Sequence, residues 1–201
     1  MYRNSTRPVL EIAMYNAAPL WCRAPVSRAA ARLAKGFTLV ELLVTIAIAT
    51  LLLVVAVPSY VSFQKNAQLS DAASNFIGAI NAARANAMKL GVDSYLVPKS
   101  GTNWSSGWDV YADTNWNQSY DVGTDPIILG FDAPASSVSI GTPTGSLAAG
   151  YVRFNGNGYP RMKDNGPAGS RLVMTNGTRS STIIIDFVGR VRSCTTGATG
   201  C

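Results

Sequence analysis

Histidine is missing from all 201 residues of the chain, and with it goes the side chain best suited to act as a general base near neutral pH. No Ser-His or Cys-His nucleophile pair can form, and no serine stands in a recognisable nucleophile elbow. Carboxylate pairs such as Asp109 and Asp113 are present, but nothing beside them marks an acid/base dyad, so the chain is not expected to be an enzyme. Cysteine is almost as scarce. Its three copies, Cys22, Cys194 and Cys201, are too few for a four-sulfur zinc site, and no imidazole can complete the set. No cofactor or metal centre is expected. Internal repeats and long low-complexity tracts are also lacking, which excludes a solenoid or an array. At this length there is room for one membrane span and one globular domain, with little left for a second core.

What the sequence does have is one long apolar run. Residues 37–57 are almost wholly apolar, and as an α-helix they would rise about 31 Å, enough to cross the hydrocarbon core of a bilayer. Pro58 falls where the run ends. One carboxylate, Glu41, stands inside it near the start. An ionised side chain facing lipid alone costs about 2.5 kcal/mol or more, so this acid requires a cationic partner. An ordinary signal anchor that happens to contain a glutamate is the plainer alternative, but it has no use for a carboxylate at this depth.

Charge is unevenly placed. The chain carries a net +6 and a pI near 9.4. Residues 1–36 hold Arg3, Arg7, Arg23, Arg28, Arg32 and Lys35 against Glu11 alone, a balance of +5, whereas the remainder carries 11 bases and 10 acids. Most of the basicity therefore reads as a topology signal that keeps the N-terminus in the cytoplasm. Bulk pI says nothing here about nucleic acid.

The segment Lys35-Gly36-Phe37-Thr38-Leu39-Val40-Glu41 resembles the processing site of type IV pilins and type II secretion pseudopilins: a basic leader, a glycine, then Phe at the first and Glu at the fifth mature position. The resemblance implies that a prepilin peptidase removes a leader of residues 1–36 by cutting between Gly36 and Phe37, and N-methylates Phe37. The amine so freed would meet Glu41 of a neighbouring subunit and neutralise it as helices bundle into a filament of other pilins or pseudopilins. The leader is long for that family, and Met14 is an alternative start. The protein is expected in the bacterial inner membrane as a single-pass protein with its head in the periplasm, and afterwards in a pilus or pseudopilus. Cys22 would leave with the leader. Cys194 and Cys201, with six residues between them, would reach an oxidising compartment and are expected to close a small disulfide loop that pins the tail.

After the span at 37–58, residues 59–91 read as an amphipathic helix. Leu69, Ala72, Ala73, Phe76, Ile77, Ile80, Ala83, Ala87 and Met88 recur at steps of three and four, and Gly91 follows as a stop. Residues 92–201 form a globular head with short strands expected at 95–97, 108–112, 127–131, 138–140, 151–154, 171–174 and 182–188. Asn155-Gly156-Asn157-Gly158 and Asn176-Gly177 suit hairpin turns. Segments 101–107 and 133–150 read as loops, with Trp104 and Trp116 covering loops and Trp108 and Tyr111 in the core. An antiparallel sheet packed on the helix stripe, an α+β head, is the expected architecture; with the long N-terminal helix, the resemblance to pilins implies the type IV pilin fold.

Gly107-Trp108-Asp109-Val110-Tyr111 with Asp113, then Asp125-Pro126-Ile127-Ile128-Leu129, and finally Gly189-Arg190-Val191-Arg192 resemble the GspH/FimT family in particular. In its FimT branch the Gly-Arg-x-Arg element is implicated in binding DNA during natural transformation. That resemblance implies that Gly189, Arg190 and Arg192 contact DNA, the two guanidinium groups projecting from one face of a strand. Arg161, Lys163, Arg171 and Arg179 are further candidates by charge and region alone. The head has two poles: residues 93–132 balance at −5 and residues 153–192 at +5. They support a second reading, in which these arginines pair with the acidic pole of the next subunit and the protein is a purely structural unit that primes or caps a pilus or a type II secretion pseudopilus. Trp104, Trp108, Trp116, Tyr111 and Tyr120 could stack on bases, but a core or loop-covering place is the expectation. Asp113, Asn115, Asn117 and Asp121 resemble the start of a calcium loop. Gln118 stands where that loop turns on Gly and Thr124 where a Glu closes the shell, so a polar surface loop is expected and calcium binding is the alternative.

An intact-mass measurement on the exported protein checks the processing: the chain should begin at a methylated Phe37. Replacing Glu41 with Leu should abolish incorporation into the filament, and unchanged incorporation would remove the role given to that carboxylate.

Overall fold

The computed structural model describes residues 36–195; the leader residues before Gly36, including Lys35 and Cys22, and the tail with Cys201 lie outside the described residues. A single helix, α1, runs Leu39–Leu90. Its first turn is closed by Thr38, whose hydroxyl accepts the Glu41 backbone N–H at 3.2 Å, an N-cap that satisfies one of the helix's orphan donors. The Thr45 hydroxyl donates to the Leu42 carbonyl at 2.8 Å, which lets it lie on an apolar helix without an unsatisfied polar group.

From Ile46 onward the helix first continues apolar and exposed, then changes character. The Thr50 hydroxyl donates back to the Ile46 carbonyl at 2.7 Å, as Thr45 does earlier in the helix. Beyond Lys65 one stripe sinks into the head: Leu69, Ala72, Ala73, Phe76, Ala79, Ile80, Ala83 and Ala87 are buried. Five of these eight are alanine, so the helix backbone can lie close to the strands it covers. Met88, expected on the stripe, is half exposed. Gly91 ends the helix at φ 69°, and its N–H donates to the Ala87 carbonyl at 2.9 Å, the left-handed cap for which glycine carries no Cβ penalty.

The head is α+β, but its strands form two antiparallel sheets rather than the single sheet expected. The first has five strands in the order β3-β2-β1-β5-β6, made of β1 Asp93–Ser100, β2 Asn103–Asp113, β3 Ile127–Phe131, β5 Val152–Phe154 and β6 Pro160–Arg161. The second has four, β4-β7-β8-β9, from β4 Ser139–Ile140, β7 Ser170–Thr175, β8 Ser180–Ile185 and β9 Val191–Thr195. One core serves both: Leu96, Val110 and Phe154 from the first sheet meet Leu172, Ile183 and Ile185 from the second under the helix stripe. Alternating burial along β7 and β8 turns every second side chain toward that core.

Phe76 is the centre of the packing. Its ring meets Trp104 edge-on at 5.4 Å and Trp108 at 5.0 Å, the geometry that aromatic quadrupoles favour. Trp104 is therefore core rather than loop cover, and its indole N–H donates to the Leu147 carbonyl at 2.9 Å. Segment 101–107, expected as a loop for want of large apolar residues, is mostly strand. Small side chains there let β2 extend, and Gly107 is required because a Cβ would lie 2.5 Å from the Phe131 carbonyl oxygen. The strand expected at 182–188 stops at Ile185, because the Asp186 carboxylate takes up turn N–H groups instead. Both Asn-Gly turns close hairpins, β5–β6 and β7–β8.

Phe76→Ala should destabilise the head by about 3–5 kcal/mol, read as a lower urea midpoint for the detergent-solubilised protein. A loss under about 1 kcal/mol would show that the two tryptophans close over the gap.

Candidate functional site

Gly36, Phe37 and Glu41 are exposed at the start of the described chain. Glu41 is the third residue after the Thr38 cap, where the helix dipole also favours an acid, so its backbone position has a local rationale beside the one expected between subunits.

The basic residues expected to act together are not one stripe. The Arg153 guanidinium is buried and paired with Asp93 at 2.6 Å, and it also donates to the Met162 carbonyl and to Asn165 Oδ1. Its charge is spent inside the fold. Arg161 belongs to β6 of the five-stranded sheet, and its guanidinium lies 5.9 Å from the Tyr159 ring centre. Lys163 donates to the Gln118 carbonyl at 3.0 Å and sits over the Tyr151 ring. Arg179, at the β7–β8 turn, lines a groove with Asn66, Ser70 and Ser193.

Arg171 and Arg192 do come together. In the β7–β8–β9 register Arg171 lies opposite Ile184, and Ile184 opposite Arg192. Directly opposed residues share a face, so the two arginines flank Ile184 on the outer face, with about 10 Å between their Cα atoms at ordinary strand spacing. Both are exposed, and among the described residues no carboxylate pairs with either.

Arg190 differs from expectation. It precedes β9 instead of lying on it, and its Nε binds Asp186 Oδ2 at 3.1 Å. Val191 packs toward the core between the two exposed arginines, so their outward direction stands, but Arg190 is partly neutralised where Arg192 is not. Burial pushes the Asp186 carboxyl up, yet hydrogen bonds from the Arg190 and Val188 backbones, and then the Arg190 guanidinium, outweigh it and hold the pKa below its ordinary value. Gly189 has φ 81°, and a Cβ there would lie 2.9 Å from the Gly158 carbonyl oxygen. Its own carbonyl accepts from Arg84 of α1 at 2.9 Å, and the neighbouring Val188 carbonyl accepts at 3.4 Å.

Sequence reasoning missed Arg84 and Phe187. Arg84 is a base one step off the apolar stripe, next to buried Ala83. Phe187 reads as a continuation of β8, although the Asp-x-x-Gly spacing of Asp186 and Gly189 marks a turn.

Half of the acidic pole is internal. Asp93, Asp113 and Asp125 are buried, and Asp132 pairs with Lys99 at 3.0 Å. In the loop after β2, Asp113 accepts the Asn117 and Gln118 backbone N–H groups, and Asp121 accepts from the Asn115 and Asn117 side-chain amides. Trp116 and Gln118 both take positive φ to allow this. These carboxylates organise the loop by themselves, and among the described residues no group of three or more acidic or cysteine side chains converges on a metal-sized point. Trp104 and Trp108 lie in the core and Tyr111 stacks on Tyr95, so none of these is offered to a base. Cys194 is half-buried on β9 opposite Thr182; Cys201 lies outside the described residues.

An apolar exposed helix that turns amphipathic and packs on β-strands is consistent with membrane anchoring. The model of the type II transport protein GspH family matches residues 72–189, more than half of the chain, and the prokaryotic N-terminal methylation motif matches residues 31–57. The chain belongs to the GspH family of pilin-like proteins. Family and motif together make it a pilin-like subunit of the type II transport class. Among solved structures it is similar to the type IV minor pilin FimU of Pseudomonas aeruginosa in two crystal forms. In one, identity is 14%, coverage 63% of this chain and 92% of that one, and TM-score 0.49; in the other the values are 14%, 65%, 90% and 0.48. No curated protein matches the sequence.

Asp125 supplies a pH test of the loop. Burial pushes its carboxyl up, but the Thr114 and Asp121 backbone N–H groups and the Thr114 hydroxyl outweigh that and hold its pKa below the ordinary value. A lowered folded pKa adds stability above the unfolded pKa, and this is lost as pH falls through the folded one. Asp125→Asn should therefore be less stable than wild type at neutral pH, with the gap closing in acid, as read by urea denaturation at stepped pH. A gap that stays constant with pH would contradict this.

Proposed function

We propose that this subunit, after removal of residues 1–36 and methylation of Phe37, is anchored in the inner membrane by residues 37–58 with its head in the periplasm, and that the head binds DNA for uptake. Glu41 then serves filament assembly with the Phe37 amine of a neighbour. The in-register pair Arg171 and Arg192 carries the DNA reading: two exposed guanidinium groups on one sheet face, without carboxylate partners among the described residues. Arg190 borders them and can contribute once a phosphate competes with Asp186. Arg161, Lys163 and Arg179 stand apart on other elements and are assigned no direct role. Contacts of this kind read phosphate and not sequence, so binding should be sequence-independent and salt-sensitive. A Cys194–Cys201 disulfide would pin the tail; the disulfide-bonded state of Cys194 supports it.

Gel shifts with the full chain in detergent test the proposal. Arg171→Gln and Arg192→Gln should each weaken binding and flatten the salt slope by about one unit, and Arg190→Gln should do less. If wild type gives no shift at low salt, the DNA reading fails and the purely structural subunit remains.

A further inference from the structure

The turn from Asp186 to Arg190 is held from three sides. Asp186 accepts the Val188 and Arg190 N–H groups at 3.2 and 2.8 Å, Arg84 reaches from α1 to the Gly189 carbonyl at 2.9 Å, and Gly189 abuts the Gly158 backbone. Yet this fixed turn leaves Phe187 64% and Val188 57% exposed. Turns held this firmly can bury an aromatic side chain, and this one presents it. Glycine at 169 lets one side of the ring rest against its backbone, since a Cβ there would stand 3.0 Å from Phe187 Cε1, and the remainder of the ring faces outward.

Phe187 borders an open groove of about 350 Å³ that Ile184, Ile185, Arg171, Arg192 and Asp186 also line. The Asp186 charge is met by Arg190, which leaves Ile184 between two cations that no carboxylate among the described residues pairs, with the Phe187 ring on the same groove. Apolar floor and cations together call for a ligand with a flat unsaturated face and anions on either side of it. A duplex offers the anions but hides its base faces in the stack, whereas a single strand offers both. Resting on the DNA reading above, we infer that Phe187 is a stacking platform for an unpaired nucleobase, with Arg171 and Arg192 holding the flanking phosphates, so that the head prefers single-stranded DNA or frayed ends to intact duplex. Because the turn is fixed before binding, the ring loses little freedom when it is covered.

The test is fluorescence anisotropy of the full chain in detergent, with a labelled oligo-dT and a duplex of equal length. Wild type should bind the single strand more tightly. Phe187→Ala should weaken single-strand binding by about fivefold or more while leaving duplex binding and the salt slope unchanged, and Phe187→Tyr should restore it. Arg192→Gln should lower the salt slope for both. Phe187→Ala with single-strand binding intact, or with equal losses on both DNAs, overturns the stacking role while the phosphate contacts survive. A Phe187→Ala defect confined to filament incorporation would assign the ring to a protein neighbour instead and likewise overturn it. Wild type that binds neither DNA removes the parent reading as well.

Discussion

The fold depends on one contact: Phe76, on an alanine-rich helix stripe, set edge-on between Trp104 and Trp108 of the same strand. Alanines on either side bring the helix close enough for that single large side chain to reach both indoles, and the rest of the core fills in around it. The arrangement explains why β2 is long. A strand that ended before Trp104 would lose one wall of the Phe76 site, so the small residues between the two tryptophans are held extended by packing at both ends rather than by their own propensity.

The same helix controls the outer face. Arg84 lies one position from buried Ala83, and from there it binds the carbonyls of the turn that carries Gly189 and Arg190. Anchoring helix and exposed arginines are thus linked by one guanidinium. This half-buried tie holds the turn against the helix, and the buried pair of Arg153 with Asp93 makes a similar cross-link inside the five-stranded sheet. Between them they explain why formal charge along the chain is a poor guide to the surface: several charges in each pole are satisfied within the head.

Much was legible beforehand because it depends on local pattern. The apolar run with its single acid, the three- and four-residue spacing from Leu69 to Ala87, the Gly91 stop and the Asn-Gly hairpins all follow from interactions within a few residues. The site was legible only in part. Arg192 and its outward direction follow from strand alternation, but the pairing of Arg190 with Asp186 depends on where β8 ends. Arg171 stood out by charge alone, and nothing local ranked it above Arg161 or Arg179.

Sequence by itself determined the membrane-length helix, its acid, the family pattern and the α+β class, since each is written in composition and short-range periodicity. Only the tertiary structure decided that the strands divide into two sheets, that Trp104 is core, that Arg153 is buried, and that Arg171 and Arg192 flank one isoleucine. Those outcomes turn on register between strands far apart in the chain, and register is set by how side chains pack across the fold, which no short stretch of residues contains.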